Sequence, residues 1–233
     1  MSVEEGYRRW AETYDRDLNP LLALEERWLR PMLPCLAGKR VLDLACGTGR
    51  WLAPLLSKGT AFGAGLDISQ AMLAAARDKV GLENCLVRAD CRSIPFPAAA
   101  FDLVICSFAL SHLPGLDGVV REVARVTAPG ANVYVSDLHP KAYARGWRTG
   151  FRASRGAVEV MTWPHSFREL RAAWTSAGFK RFRFAECHLG EPERPIFARA
   201  GKANQFEDFC QTPAVLIFHF ERSDPRQYKR TTK

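Results

Sequence analysis

The segment Val41-Leu42-Asp43-Leu44-Ala45-Cys46-Gly47-Thr48-Gly49-Arg50, followed by Gly65-Leu66-Asp67-Ile68-Ser69, constrains this chain more than any other part of it. The first stretch reads as a buried strand that enters a glycine turn and opens a helix. The second reads as another strand, ending in the acid Asp67 about 20 residues after the glycines. Glycines in such a turn let the backbone approach a ligand closely, and a carboxylate at that spacing accepts both hydroxyls of a ribose. The pattern points to a nucleoside.

Which nucleoside follows from what is missing. A dinucleotide fold needs a third glycine three residues after Gly49, and position 52 is Leu52. A phosphate-binding P-loop needs Gly-Lys-Ser/Thr after a longer loop, which the chain lacks. The site suits a ligand with a ribose and no phosphates. S-adenosylmethionine (SAM), with its sulfonium, ammonium and single carboxylate, is such a ligand.

At this point the chain resembles the class I SAM-dependent methyltransferases, most of all the branch that includes the ubiquinone/menaquinone-biosynthesis type. The family's Asp-x-Gly-x-Gly-x-Gly appears as Asp43-Leu44-Ala45-Cys46-Gly47-Thr48-Gly49, with Ala45 in place of the first glycine. Ala89-Asp90, Ile94-Pro95-Phe96, Phe101-Asp102-Leu103-Val104-Ile105-Cys106-Ser107 and Ala109-Leu110-Ser111-His112-Leu113 follow in family order. Arg121-Glu122-Val123-Ala124-Arg125-Val126 and Ala128-Pro129-Gly130 complete the set, which covers residues 38–138. An ordered set is far more specific than a lone glycine motif.

Strand patterns at 40–45, 61–67, 84–88, 101–107 and 131–137 alternate with helical patterns near 50–58, 69–79 and 116–127. This alternation predicts an α/β fold with a parallel sheet covered on both faces. Two further strands are expected at 180–188 and 213–220, and Pro129-Gly130 is read as the turn into the fifth. The resemblance implies a Rossmann-like, seven-stranded, mostly parallel sheet whose seventh strand runs antiparallel between the fifth and sixth. The expected divisions are an N-terminal helical cap (1–36), a SAM-binding core (37–137), a substrate-side insert (138–165), a C-terminal part of the core (166–223) and a polar tail (224–233).

Within the cap, Asn19-Pro20 marks a helix start. Tyr7, Trp10, Tyr14 and Leu18 fall on one apolar-aromatic face at helical spacing. Ser166-Phe167-Arg168-Glu169 reads as a capping box, closed by Gly178. The 138–165 insert is expected to hold a hairpin, because Val158, Val160 and Thr162 alternate after a turn near Ser154-Arg155-Gly156. A second long connection, 189–212, carries Phe197, Phe206 and Phe209. Both leave the sheet where an open α/β fold keeps its substrate crevice, so they are assigned to substrate enclosure; an edge cover or a dimer contact is the alternative.

With 47% hydrophobic residues and no run of the roughly 18 apolar residues a membrane span needs, the chain reads as a globular protein outside the membrane. The acidic N-terminus has no signal-peptide character. The seven scattered cysteines suggest neither disulfides nor zinc, so the expected compartment is the cytoplasm. Between Lys141 and Arg183 lie ten basic and two acidic residues, which equals the whole net charge of +8. A solvated face is the plainest reading of that segment; a pocket for an anionic acceptor and nucleic-acid contact are the others.

The resemblance implies roles for individual residues. The backbone around Ala45, Gly47 and Gly49 borders the methionine part of the cofactor, Asp67 takes the ribose, and Ile68 and Met72 pack on the adenine. Asp90 accepts the adenine amino group, with the Cys91 backbone at the ring edge. Ser107 and Phe108 border the transferred methyl, Asp43 orients the turn, and Tyr14 contacts the ligand from the cap. His139, after the fifth strand, and His112, after the fourth, are the candidate proton acceptors, each with a structural hydrogen-bonded role as the alternative. Asp137 is free to orient a histidine or bind an amine. No metal is called for.

The expected activity is methyl transfer from SAM, leaving S-adenosylhomocysteine (SAH), to a small-molecule acceptor at oxygen, with nitrogen or carbon as alternatives. The chemistry is an in-line displacement in which positioning and water exclusion supply much of the rate. An RNA-modifying methyltransferase and a non-catalytic SAM-binding regulator are the competing readings. Either a monomer or a homodimer fits.

Overall fold

The computed structural model describes residues 1–153 and 156–224. The chain opens with helices α1 (Val3–Trp10) and α2 (Pro20–Leu29). Then come β1 (Arg40–Leu44), α3 (Leu52–Leu56), β2 (Phe62–Asp67), α4 (Gln70–Arg77), β3 (Leu86–Arg88), β4 (Phe101–Ser107), α5 (Asp117–Val126) and β5 (Thr127–Leu138). A short helix α6 (Pro140–Ala144) and a hairpin of β6 (Gly150–Ala153) and β7 (Gly156–Glu159) follow. The chain returns through α7 (Phe167–Ser176), β8 (Phe179–Cys187), α8 (Arg194–Arg199), α9 (Phe206–Cys210) and β9 (Val215–Arg222).

Seven strands form one sheet in the order β3-β2-β1-β4-β5-β9-β8, whose last strand in sequence lies between the fifth and the sixth of the sheet, as expected. Strands β3 to β5 pair in parallel, and β9 runs antiparallel between β5 and β8. The central strands are buried on both faces, which is why they read as continuous apolar runs rather than alternating ones. One face packs Leu42, Val104 and Val133 against Val119 and Val123 of α5 and Trp174 of α7. The other packs Val41, Ile105 and Ile217 against Leu24 and Leu29 of α2 and Phe197 and Phe206 of the second long connection. The order reverses between β1 and β4, and the carboxyl ends on either side of such a reversal form the ligand crevice.

Local rules placed several boundaries well. Asn19 caps α2, its side chain accepting the Leu21 N–H at 2.9 Å, with Pro20 in the first helical position. Ser166 and Glu169 form the reciprocal box at the start of α7. Elsewhere the structure corrects the reading. The aromatic face of the cap ends at Tyr14, because α1 stops at Trp10, and Leu18 is 54% exposed. Pro129-Gly130 lies inside β5 rather than before it, at a register shift between Phe101 and Leu103 where Gly130 takes φ +80°. The hairpin spans Gly150 to Glu159, so Val160 and Thr162 lie beyond it. The proposed turn at Ser154-Arg155 and the tail from 225 to 233 lie outside the described residues.

The insert holds the N-terminal helix in place. The Met161 N–H donates to the Met1 carbonyl at 2.9 Å, and the Phe151 ring stacks on Trp10 at 5.2 Å. A Cβ on Gly6 would sit 2.8 Å from Val160 Cγ2, so the helix approaches this closely only because position 6 has no side chain. Among the described residues no helix is long and apolar enough to cross a membrane.

Candidate active site

A cavity of about 260 Å³ opens at the carboxyl ends of β1, β2 and β4, roofed by the N-terminal segment. Eleven of the twelve residues expected to meet the cofactor line it: Tyr14, Asp43, Ala45, Gly47, Asp67, Ile68, Met72, Asp90, Cys91, Ser107 and Phe108. Gly49 does not. It adopts φ +74°, and a Cβ there would meet Leu82 Cδ1 at 2.5 Å, so this glycine serves the packing of the turn against the chain behind it.

The turn is held from both ends. Asp43 Oδ2 accepts the Leu52 N–H at 2.9 Å, and Asp67 Oδ2 accepts the Gly47 N–H at 2.8 Å. Asp67 Oδ1 accepts the Ser69 N–H at 2.8 Å, so the acid expected to take the ribose also shapes the start of α4. Ala45 occupies the left-handed region at φ +56°, which explains why the related motif favours glycine there. Burial pushes the Asp43 carboxyl up to about 7, against the opposing pull of Arg50. Asp90 is held low by its hydrogen bonds to Arg92, chiefly a contact of 2.6 Å from Nη2.

The cap is bolted to this turn. Thr48 Oγ1 donates to Asp15 Oδ1 at 2.7 Å, and Lys79 pairs with the other oxygen of Asp15 at 2.7 Å. Neighbouring Tyr14 is thereby placed in the lining, its hydroxyl pushed up to about 12, mainly by burial.

The two histidine candidates part company. His112 lines the cavity, and its Nδ1 lies 2.9 Å from the Met161 carbonyl. A carbonyl only accepts, so Nδ1 carries the hydrogen of the neutral ring, and Nε2 accepts from the Tyr7 hydroxyl at 2.8 Å. His139, expected to face the crevice, is absent from the lining. Its Nδ1 accepts the Lys141 N–H as the cap of α6, and its Nε2 lies 3.0 Å from Glu186. Asp137 orients neither histidine by a hydrogen bond; it accepts from the Ser111 backbone and hydroxyl, both at 2.8 Å.

Residues missed from sequence include Val3, Glu4 and Tyr7 of α1, and Arg50, Trp51 and Arg92. Arg50 directly follows the motif and could have been suspected. Tyr7 could not, since its position over the cavity depends on the distant insert. No residue of 138–165 or 189–212 lines this cavity. The first of these segments supplies the Met161 carbonyl and the support for α1; the second packs behind α2.

These surroundings suit S-adenosylmethionine. The lining carries four acids (Glu4, Asp43, Asp67, Asp90) against Arg50 and Arg92, which favours a ligand with two positive groups. The Arg50 Nη1, buried without a hydrogen-bond partner among the described residues, is left for an acceptor such as a carboxylate.

Comparison with known proteins agrees. A methyltransferase-domain family matches residues 41–130. The chain is 36% identical over 174 residues to a phosphatidylethanolamine N-methyltransferase of Cereibacter sphaeroides, covering 66% of this chain and 84% of that one. It is 32% identical over 147 residues to a demethylmenaquinone methyltransferase of Tropheryma whipplei, covering 60% of this chain and 61% of that one. Against that quinone enzyme the chain thus spans about three-fifths of the relative's length. The fold is similar to the crystal structure of an S-adenosylmethionine-dependent methyltransferase from Mesorhizobium loti, with a TM-score of 0.68 and 24% identity over 88% of this chain and all of that one. The chain belongs to the class I S-adenosylmethionine-dependent methyltransferases.

Proposed function

We propose that this protein moves the methyl group of S-adenosylmethionine to a small-molecule acceptor that must lose a proton, such as a phenol or a reduced quinone. The observation that carries this reading is a cavity joining two halves. One half, Asp67 with the glycine turn, fits a nucleoside; the other, Tyr7 with His112, fits proton removal. S-adenosylmethionine, when bound, supplies an electrophilic methyl on a good leaving group. The chain's own task is to align the acceptor, exclude water and take its proton.

The Tyr7–His112 pair gives that proton a route. An acceptor hydroxyl hydrogen-bonded to Tyr7 Oη passes its proton there while the tyrosine proton moves to His112 Nε2. The imidazolium so formed is steadied by the Met161 carbonyl at Nδ1. The tyrosine stays neutral at both ends of the exchange, which suits a hydroxyl that burial holds well above its ordinary range. An oxygen freed of its proton attacks directly, and in an aromatic ring it also activates the neighbouring carbon. Oxygen is the favoured atom. The demethylmenaquinone and phosphatidylethanolamine relatives make reduced naphthoquinones and primary amines the first acceptors to try.

The test is incubation of purified protein and labelled S-adenosylmethionine with reduced naphthoquinones, simple phenols and ethanolamine-bearing amines, with product mass read directly. Methylated product from one class supports the reading. Tight SAH binding with no product from any class would make the protein a binder rather than an enzyme. Binding to bulk tRNA with a steep salt dependence would turn the reading to RNA.

A further inference from the structure

A second, smaller cavity of about 20 Å³ adjoins the first, and the methyl-transfer reading leaves it unused. The turn after β4 is the partition: Ala109, His112 and Leu113 line the larger cavity, and Ser111 lines the smaller one. Val135, Leu216 and Phe218 of the sheet form the floor of the smaller cavity, and Thr149, Thr162 and His165 of the insert wall it. The Trp163 N–H donates to the Ser111 carbonyl at 2.6 Å, which fastens the insert to the partition. Pro164 is exposed and Tyr143, Thr149 and Thr162 are half-buried, so this cavity meets solvent on the insert side.

Asp137 is the one carboxylate in the lining. Its Oδ2 accepts the Ser111 N–H, and its Oδ1 accepts the Ser111 hydroxyl and the Leu138 N–H, each at 2.8 Å. All these donors are neutral, and Asp137 makes no ion pair among the described residues. The cations of α6 and the chain just after it are engaged elsewhere. Lys141 pairs with Glu186 at 3.8 Å and Arg145 with Asp208 at 3.2 Å, while Arg148 Nη1 donates to the Tyr143 and Trp147 carbonyls at 2.8 Å. Desolvation holds the Asp137 carboxyl above its ordinary range in spite of its hydrogen bonds. A desolvated carboxylate without a counter-ion is costly, and a cation brought by a ligand relieves that cost.

The rest of the lining selects the kind of cation. His165 Nε2 lies 3.1 Å from the Leu110 carbonyl and 2.9 Å from that of Leu113, so it carries the hydrogen of the neutral ring and leaves Nδ1 an acceptor. The Ser111 hydroxyl spends its hydrogen on Asp137 and keeps its oxygen lone pairs. Tyr143, Thr149 and Thr162 add hydroxyls that can also accept. Acceptors around a single negative charge complement a group with several N–H donors and one positive charge. A hard metal ion needs a full shell of oxygen ligands, which the apolar floor denies it. The free volume has room for roughly one water-sized group. An ammonium head fits that space; a ring or a guanidinium does not.

We propose that this second cavity binds a primary ammonium group, with Asp137 as its counter-ion and the Ser111, Thr149 and Thr162 oxygens as further acceptors. The carbon stem lies on Leu216 and Phe218 and leads out past Pro164, so the ligand class is a primary alkylamine. The assignment stands whether or not the neighbouring cavity transfers a methyl group.

Amide NMR on the isotopically labelled full chain reads the site directly, because the Ser111 and Leu138 amides both donate to Asp137. Ethylammonium replaces sodium at fixed ionic strength, with ethanol and potassium as control probes. Both amides should shift saturably with ethylammonium in the millimolar range. Its affinity should exceed that of ethanol by about tenfold or more, the worth of a charge-assisted hydrogen bond. Saturating SAH should leave this titration in place, since the methyl-donor cavity lies across the partition. Asp137→Asn keeps the shape and one acceptor oxygen, and should cut the preference for ammonium to about twofold. Thr162→Leu fills the cavity from the insert side and should abolish the saturable shift with Asp137 intact, so the site is still tested if the first variant fails to fold.

An equal response to potassium would make this a site for any monovalent cation, and an equal response to ethanol would make it a water-filled void. Loss of the titration in the presence of SAH would put the amine in the larger cavity. Each of these overturns the assignment, as does an unchanged preference in Asp137→Asn or the lack of any saturable shift in the wild type.

Discussion

The Tyr7 hydroxyl lies 2.8 Å from His112 Nε2, joining the first helix to the segment after β4 across 105 positions of sequence. The Met161 carbonyl on the other ring nitrogen fixes the tautomer that makes Nε2 the acceptor. Removing either partner should cost proton transfer rather than cofactor binding. Tyr7→Phe and His112→Gln should each lower kcat by roughly 10²-fold, with SAH affinity held within about threefold. Because the two act in series, the double variant should be little worse than either single one. Steady-state kinetics and calorimetry on the three proteins check this, and additive losses would count against a relay.

Asp43 should make methyl-donor binding depend on pH. Burial raises its carboxyl to about 7 in the ligand-free protein, so it is mostly protonated at pH 6 and mostly ionised at pH 8. A ligand bearing positive charge favours the ionised form and pulls that value down, so binding releases a proton. Raising the pH must then strengthen binding, by about tenfold between pH 6 and pH 8, with a plateau above. Stability of the ligand-free protein moves the other way. An acid whose folded value is raised contributes fully at low pH, and that contribution is lost as pH rises through 7. Calorimetry in buffers of different ionisation enthalpy reads the released proton, and Asp43→Asn should flatten both trends.

Much of this site was legible because its parts are local. The turn at Gly47, the acid at Asp67 and the segment at Ser107-Phe108 each sit at a strand end, where spacing alone predicts position. Gly49 carries the motif's spacing yet serves packing on Leu82, a contact between segments that no motif encodes. In the sequence Tyr7 shows only its place on an apolar face, because its reach to His112 depends on Val160 closing on Gly6 and on Met161 pairing with Met1. The 138–165 connection is visible in the sequence by its length, but its contacts support α1 and none of its residues lines the methyl-donor cavity. His139 was placed at the right end of the right strand. What spacing could not supply is that its ring turns to cap α6 and meet Glu186.

That geometry gives His139 a structural signature. His139→Ala removes the cap of α6 and the contact with Glu186, at a cost of about 1 kcal/mol. In a chain of this length that corresponds to a Tm lower by roughly 2–4 °C. Turnover should stay within about threefold of wild type when measured below the transition, in contrast to the His112 variant. Burial lowers the His139 pKa more than Glu186 raises it. The folded state therefore binds this proton less readily than the unfolded one, and the histidine's contribution to stability fades as pH falls below about 6.5. Thermal scans at pH 5.5 and 7.5 should show a smaller gap between wild type and variant at the lower pH.

Gly49 separates two costs that usually arrive together. An alanine there must hold φ +74°, which disfavours an L residue by roughly 1–2 kcal/mol. It must also displace Leu82 Cδ1, 2.5 Å from the new Cβ, and overpacking of this kind adds roughly 1–2 kcal/mol. Gly49→Ala should therefore lose about 2–4 kcal/mol in urea denaturation. In a Leu82→Ala background the clash has gone but the backbone conformation has not, so the same substitution should cost only about 1–2 kcal/mol. Full rescue would mean that the turn relaxes out of the left-handed region and that the glycine is there for space alone. No rescue would mean that Leu82 already swings aside and only the backbone matters. The Gly47 N–H bond to Asp67 lies two residues from the substituted position in the same turn, so SAH affinity measured well below the transition should fall with the backbone cost and not with the clash.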